Sequence, residues 1–179
     1  MGEPPMADSF PVLSEHALEP VGLGWSRLRQ REVTLPPTQP GTVRVFAVKG
    51  RYLPEPGQAK VRAATSVSIV DMSPRLVQVS IEMTPPPGAI ACQVRVSFRC
   101  QVVEPAAVAQ LHLHDLQSAL DGYLAQSSRL RRLAAPSSPD RLHETYLLIQ
   151  QRISAQFSVQ PPEIPGMRIE LGFVKVDVS

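Results

Sequence analysis

Cysteine is scarce in this sequence, and its scarcity limits the chemistry open to the protein. Only two of the 179 residues are cysteine, and both lie in the stretch IACQVRVSFRCQVVEP at residues 90 to 105. Two cysteines do not make the disulfide framework of a small secreted protein. The N-terminal residues MGEPPMADSF contain neither a basic segment nor an apolar core, so no secretory signal is visible. We therefore expect a cytoplasmic protein.

Long apolar runs and an excess of one charge are also missing. No run approaches the ~20 apolar residues of a transmembrane helix, so we expect any membrane contact to be peripheral. The chain has 18 basic and 16 acidic residues, a formal net charge of +2. This balance does not indicate a nucleic-acid partner, which would require a strong basic excess. The sequence therefore predicts no binding of nucleic acid.

The common catalytic motifs are absent as well. The sequence has no G-x-S-x-G elbow, no P-loop and no G-x-G-x-x-G. Acidic residues are scattered and form no close pair that suggests a general acid and base. The segment HETYL at residues 143 to 147 begins like the metalloprotease motif H-E-x-x-H, but Leu147 stands at the second histidine position. We expect a protein that is not an enzyme and that uses no cofactor, metal or small-molecule substrate.

One alternative is a metal-dependent enzyme built on the segment HLHD. His112, His114 and Asp115 are residue types that ligate zinc. They lie between two predicted helices, and a catalytic zinc site usually needs three well-placed protein ligands. We favour a polar loop in which Asp115 caps the following helix, and we keep the metal site as the alternative.

The strongest pattern present is a strict alternation through the stretch with both cysteines. Its even positions from 90 to 102 are all apolar, and its odd positions from 93 to 101 are all polar. A period of two over this length predicts a half-buried β-strand. Cys92 and Cys100 would then lie ~27 Å apart on one face, far beyond the ~7 Å that a disulfide spans. Both are predicted to be small buried hydrophobic residues, with Arg95 and Arg99 on the opposite face.

Similar patterns predict the rest of the fold. Strands are expected at residues 43–49, 61–69, 75–83 and 167–179, the last with a β-bulge where its alternation slips at Gly172 and Phe173. Helices are expected to start at Pro105, near Asp115 and near Pro139. Residues 1–42 hold seven of the 19 prolines and predict a partly disordered tail. Residues 43–179 predict one α+β domain with a mostly antiparallel sheet and helices packed on one face.

Four segments in this order resemble a known family. They are VSFRCQVVEPAAVAQ, DLQSALDGYLAQ, LHETYLLIQQRISAQF and GMRIELGFVKVDV. The first contains a V-x-D/E-P step at Val102, Glu104 and Pro105. Over roughly residues 60–179 the chain is similar to the band 7 domain, also called the SPFH domain, of stomatin, prohibitin and flotillin.

The resemblance implies an α+β scaffold that assembles with itself or with other proteins at membranes. Members usually carry an N-terminal membrane anchor and a long C-terminal coiled coil; this sequence shows neither, and we expect either a stand-alone version or a fragment. No residue of the matched motifs is catalytic. The candidate interaction surface predicted from the sequence consists of Arg95, Arg99, Arg129, Arg131 and Arg132.

Overall fold

The computed structural model describes residues 9–18, 35–83, 92–126 and 142–178 of the chain. The α+β class is confirmed, and the strands form two antiparallel sheets. In chain order, the strands are β1 (Val12–Ala17), β2 (Thr42–Val48), β3 (Arg51–Pro54), β4 (Ser66–Asp71), β5 (Arg75–Met83), β6 (Cys92–Val102) and β7 (Met167–Val178), and the helices are α1 (Gln58–Val61), α2 (Pro105–Gln110), α3 (Leu116–Ala125) and α4 (Leu142–Val159).

The described residues divide into two compact units. The first unit draws on Met1–Ser73, Val102–Asp115 and Pro165–Met167, and the second takes the remainder of the chain. The first unit contains residues on both sides of residue 42, and the domain at 43–179 stays a prediction. Periodicity shows where strands are, but it does not show which strands pair. The periodicity of the sequence therefore could not distinguish two separate sheets from a single sheet.

The first unit is built on a four-stranded antiparallel sheet in the order β1-β4-β2-β3. α2 begins at Pro105, as predicted, and contributes Val108 and Ala109 to the hydrophobic core of this unit. Proline suits this first helical position because its missing N–H is not needed there. The buried residues that pack together here are Val12, Val45, Val70, Val102, Val108 and Ala109.

Two predicted segments of the first unit differ from the structure. Val12–Ala17 is a strand paired with β4, although the sequence predicts a partly disordered tail over 1–42. Val12 is fully buried, and the pairing joins residues more than 45 positions apart, which short-range patterns do not reveal. The predicted strand at 61–69 begins only at Ser66, because Gln58–Val61 forms α1 and the chain turns before β4.

The second unit is built on a three-stranded sheet in the order β5-β6-β7. β5 and β6 pair antiparallel from Arg75 opposite Cys100 to Met83 opposite Cys92. On β6 the even residues Val94, Val96, Phe98 and Cys100 are buried, as the alternation predicts. We call this side of the sheet its inner face. Phe157 of α4 contacts Phe98 there, with ring centroids 6.2 Å apart, and Leu116, Leu120 and Leu124 of α3 and Ile149 and Ile153 of α4 are also buried.

β7 lies beside β6 in the sheet. Its burial alternates with a change of phase: Ile169 and Leu171 are half-buried, and then Val174 is buried. The change falls at Gly172 and Phe173, where the sequence pattern slips. A Cβ atom at Gly172 would come within 2.9 Å of the Ser97 carbonyl oxygen, so the close approach of the two strands favours glycine.

Gly166, the residue before β7, lies against the start of α2. Its carbonyl oxygen accepts hydrogen bonds from the backbone N–H groups of Val103 and Glu104, at 2.9 and 3.1 Å. Its φ is +80°, and a Cβ atom there would lie 2.5 Å from the Glu104 carbonyl oxygen and 2.9 Å from Val108 Cγ2. Glycine is therefore required at this position by both conformation and space.

Two alanine substitutions test this reading of the glycines. We expect Gly166→Ala to lower the free energy of unfolding by more than ~1 kcal/mol, because alanine is strained at positive φ and would collide with the backbone. Gly122→Ala is the matched control, since it lies in α3 with open space around it, and it should stabilise the protein by ~0.4–1 kcal/mol. Urea denaturation measures both. Equal stability of the two variants would contradict this explanation.

Candidate interaction site

The polar row of β6 lies on the side of the second sheet opposite the inner face. We call this side the outer face. Its members on β5 and β6 face each other in register, so that Leu76 is opposite Arg99, Ser80 is opposite Arg95 and Glu82 is opposite Gln93. On β7, Phe173, Lys175 and Asp177 alternate with the inward residues Val174 and Val176 and complete this face.

Arg95 is already paired with an acidic residue. Its Nη2 atom lies 2.7 Å from Asp177 Oδ2, and the other carboxylate oxygen, Oδ1, lies 2.7 Å from Lys175 Nζ. The hydrogen bond from Lys175 and the nearby charge of Arg95 hold the pKa of Asp177 below its usual value. The charge of Arg95 is therefore compensated within the chain, which makes it less suited to bind an external anion than the sequence suggests.

Apolar side chains lie exposed beside these charges. Arg99 is exposed and makes no ion pair with any residue that the structure describes. Leu76 is 55% exposed and Phe173 is 48% exposed. The outer face thus combines an arginine, a three-membered ion network and accessible apolar surface.

Three of the five predicted arginines cannot be placed on this face. Arg129, Arg131 and Arg132 lie outside the described residues.

Ser97 lies in the middle of the polar row, and its hydroxyl is fully buried without a hydrogen bond to any described residue. Within the polar row, Ser97 is therefore covered, whereas Arg99 is exposed.

The histidines of the alternative metal site lie in the first unit. His112 Nδ1 is 2.7 Å from Glu15 Oε1, and His114 Nε2 is 3.8 Å from the same oxygen. The other nitrogen of His112, Nε2, lies 3.3 Å from the Tyr52 hydroxyl. Because a carboxylate only accepts hydrogen bonds, His112 donates through Nδ1, and the Tyr52 hydroxyl donates to Nε2 in the neutral imidazole.

Backbone pairing brings this cluster together. The N–H groups of Phe10 and Val12 donate to the carbonyl oxygens of His114 and Leu113, which aligns the start of β1 with the segment after α2. His114 Nδ1 lies 3.0 Å from the Val12 carbonyl oxygen, so this ring is held against β1. The cluster therefore links β1, β3 and the segment after α2.

The geometry does not assemble the predicted ligand trio. Both histidines face Glu15. Within the described ranges, no group of three or more His, Cys, Asp or Glu residues is arranged to hold a metal ion. Tyr52 packs against the Val12 core cluster. We therefore interpret the chain of Tyr52, His112 and Glu15 as a clamp between segments of the first unit.

Cys100 is a buried free cysteine. Burial raises the pKa of its thiol to about 12. Since the thiolate is the reactive form, this thiol is unreactive at neutral pH. The prediction that Cys100 is a small buried hydrophobic residue is confirmed, and the side chain of Cys92 lies outside the described residues.

Four contributors to these clusters were missed at the level of sequence: Tyr52, Glu15, Lys175 and Asp177. Asp177 and Lys175 lie more than 75 residues from Arg95, and Glu15 lies 97 residues from His112. The alternation in β7 predicts that Lys175 and Asp177 share a face. It does not predict that β7 lies beside β6 with that face next to Arg95.

No model of a known protein family matches the chain, and no curated protein is similar to it. In the described part of the chain, every helix is too short or too polar to cross a membrane.

The ion network makes a prediction about pH. Because the pKa of Asp177 is lower in the folded state, the carboxylate stabilises the fold above its ordinary pKa, and this contribution is lost as the pH falls through the folded pKa. We expect Asp177→Asn to reduce the urea midpoint at about pH 7 and to differ less from the wild type at about pH 2.5. Asp121→Asn, at an exposed position of α3, is the control and should show a smaller effect. An equal loss at both pH values would contradict a role for the charge.

The buried thiol makes a second prediction. In a Cys92→Ala variant, Cys100 is the sole thiol of the chain. We expect it to react with a thiol reagent at about pH 8 at least ~100-fold more slowly in native buffer than in denaturant, because the native thiol is both buried and protonated. The rate is measured by absorbance. Rapid labelling in native buffer would show that β6 is not covered as described.

Proposed function

We propose that the chain is a non-enzymatic protein-interaction module of the band 7 (SPFH) type, which associates with itself or with other proteins. The observation that carries this proposal is the exposed Phe173 beside the ion network of Arg95, Lys175 and Asp177 on the outer face. Aromatic and arginine side chains are enriched at protein interfaces relative to the rest of the surface. An outer face with both is suited to a protein partner.

The arrangement of the chain is compatible with the family resemblance. The V-x-D/E-P step spans the end of β6 and the first residue of α2. The final matched segment, GMRIELGFVKVDV, is β7 and the glycine before it, beside β6 in the sheet. These positions support the band 7 proposal through the order and pairing of elements, and the role as a scaffold follows from the family.

The metal-dependent alternative gains no support from the cluster in the first unit. Glu15 and Tyr52 already engage His112, and the Val12 carbonyl oxygen engages His114. Any membrane contact would be peripheral in this proposal, made by a charged surface or through a partner protein.

The proposal is tested by measuring association directly. We expect sedimentation velocity to show a concentration-dependent oligomer, or the purified protein to retain a defined partner or to sediment with liposomes. We expect Phe173→Ser to weaken the association by about tenfold, which is the size of effect common for an interface aromatic residue. Sedimentation of the wild type and the variant at matched concentrations measures this change.

Leu148→Ser is the matched control, because Leu148 is 45% exposed but lies on α4. Its association should equal that of the wild type. A protein that stays monomeric and binds neither partner nor liposome would contradict the proposed function. Loss of association only in Leu148→Ser would move the interface from the outer face to α4.

A further inference from the structure

The edge of β7 that faces away from β6 is the feature of the second unit that is available for pairing with another strand. β7 has 12 residues and is a terminal strand of its sheet, with β6 on one side. A strand at the edge of a sheet presents a row of backbone N–H and C=O groups that can pair with another strand. The charged residues along β7 show which strand would fit.

The sequence of β7 is complementary to itself when it is reversed. Consider an antiparallel pair of two β7 strands whose centre lies between Gly172 and Phe173. Arg168 of each copy then lies opposite Asp177 of the other, and Glu170 lies opposite Lys175. The remaining pairs are all apolar or glycine with aromatic: Met167 with Val178, Ile169 with Val176, Leu171 with Val174, and Gly172 with Phe173.

The change of phase in β7 makes this register geometrically consistent. Residues opposite each other in an antiparallel pair point to the same face of the sheet. In a strand of uniform alternation, Arg168 and Asp177 would point to opposite faces, because one number is even and the other is odd. The observed switch between Leu171 and Val174 places all four charged residues on one face together with Phe173, and it places the aliphatic residues from Ile169 to Val176 on the other.

Neighbouring registers are unfavourable. If every side chain is to stay on its face of the sheet, the two strands can slide past each other only in steps of two residues. One step places Arg168 opposite Lys175, and a step the other way places Glu170 opposite Asp177. Like charges directly opposite each other destabilise a strand pair, whereas opposite charges stabilise it. The charges therefore select one register.

The centre of the register pairs Gly172 with the exposed Phe173 of the second copy. Gly172 carries no side chain, so an aromatic ring from the opposite strand can cover its backbone, a pairing known to stabilise glycine in strands. Phe173 is 48% exposed in the single chain. The two-fold axis would bring both copies of this pair together.

Two of the four charges also have no ion-pair partner among the described residues. Arg168 and Glu170 make no ion pair with any described residue, whereas Lys175 and Asp177 pair with each other. Charges on an edge strand can instead serve to block pairing. Blocking would not need opposite signs placed symmetrically about one centre. β5, the other terminal strand, lacks this symmetry, because Arg75 and Glu82 lie on opposite faces.

We propose that β7 pairs antiparallel with β7 of a second copy of this chain, joining two three-stranded sheets into one of six strands about a two-fold axis. The inference rests on the proposed function, since it names the partner and the surface of that self-association. Such an isologous contact is closed, because each copy uses the same strand. Its small size places it among weak, transient interfaces.

Charge reversal with exchange tests the register. Glu170→Lys and Lys175→Glu each place two pairs of like charges across the two-fold axis. Sedimentation equilibrium from about 1 µM to about 200 µM covers the affinity range of a weak dimer. We expect each single variant to have a dimer Kd raised by at least about tenfold, which corresponds to about 1.4 kcal/mol.

Restored pairs should recover the affinity. The double variant Glu170→Lys/Lys175→Glu should dimerise within about threefold of the wild type. An equimolar mixture of the two single variants should also dimerise, because each copy then meets a complementary charge. Recovery in the mixture excludes local misfolding as the cause of the weaker dimer. The glutamate introduced by Lys175→Glu still lies beside Asp177 in the mixture, so any local disturbance would persist there. Circular dichroism confirms that every variant is folded.

Glu82→Lys is the matched control on β5, with the same change of charge, and its dimer Kd should equal that of the wild type. A wild type that dimerises while Glu170→Lys has no effect would overturn the pairing of β7 and leave self-association standing. Loss in Glu82→Lys alone would move the interface to β5. A monomeric wild type would overturn the pairing of β7, and the partner and liposome assays would then decide the proposed function separately.

Discussion

The alternation of side chains along β6 is the constraint on which the second unit depends. Val96 and Phe98 are fully buried on the inner face, where Phe157 of α4 meets Phe98. Burying a side chain of this size contributes ~1.5–3 kcal/mol, so a slip of one residue would expose the whole apolar row and is strongly disfavoured. The same alternation fixes Arg95 and Arg99 on the outer face. The sheet thus separates a core from an accessible polar surface.

The position of β7 beside β6 determines which charges and apolar side chains the outer face carries. Because β7 lies beside β6, Asp177 reaches Arg95, and Lys175 shares the carboxylate. The network compensates Arg95, which leaves Arg99, Phe173 and the edge of β7 as the accessible features. The proposed association needs a surface that is stable alone and still complementary to a partner. The change of phase at Gly172 provides this by bringing all the charges of β7 to one face.

Local features of the fold were predictable from the sequence, and long-range pairings were not. The bounds of β5, the alternation of β6, the start of α2 at Pro105 and the phase change in β7 are set by neighbouring residues, so short windows reveal them. The pairing of β1 with β4, the division into two units and the contact of Glu15 with His112 depend on residues far apart in the chain. A single sequence contains no periodic signal for such contacts. The interaction surface was therefore predicted only in its β6 portion.

Disulfide cross-linking between two different variants tests the self-pairing of β7 most directly. One chain would carry Glu170→Cys and the other Lys175→Cys, both with the native cysteines replaced. The pairing predicts a disulfide between the two variants, because directly opposite residues lie within ~5.5 Å. Either variant alone should cross-link poorly, since its two cysteines would lie ~17 Å apart along the strands. Cross-linking that is no more efficient in the mixture than in the separate variants would contradict the pairing.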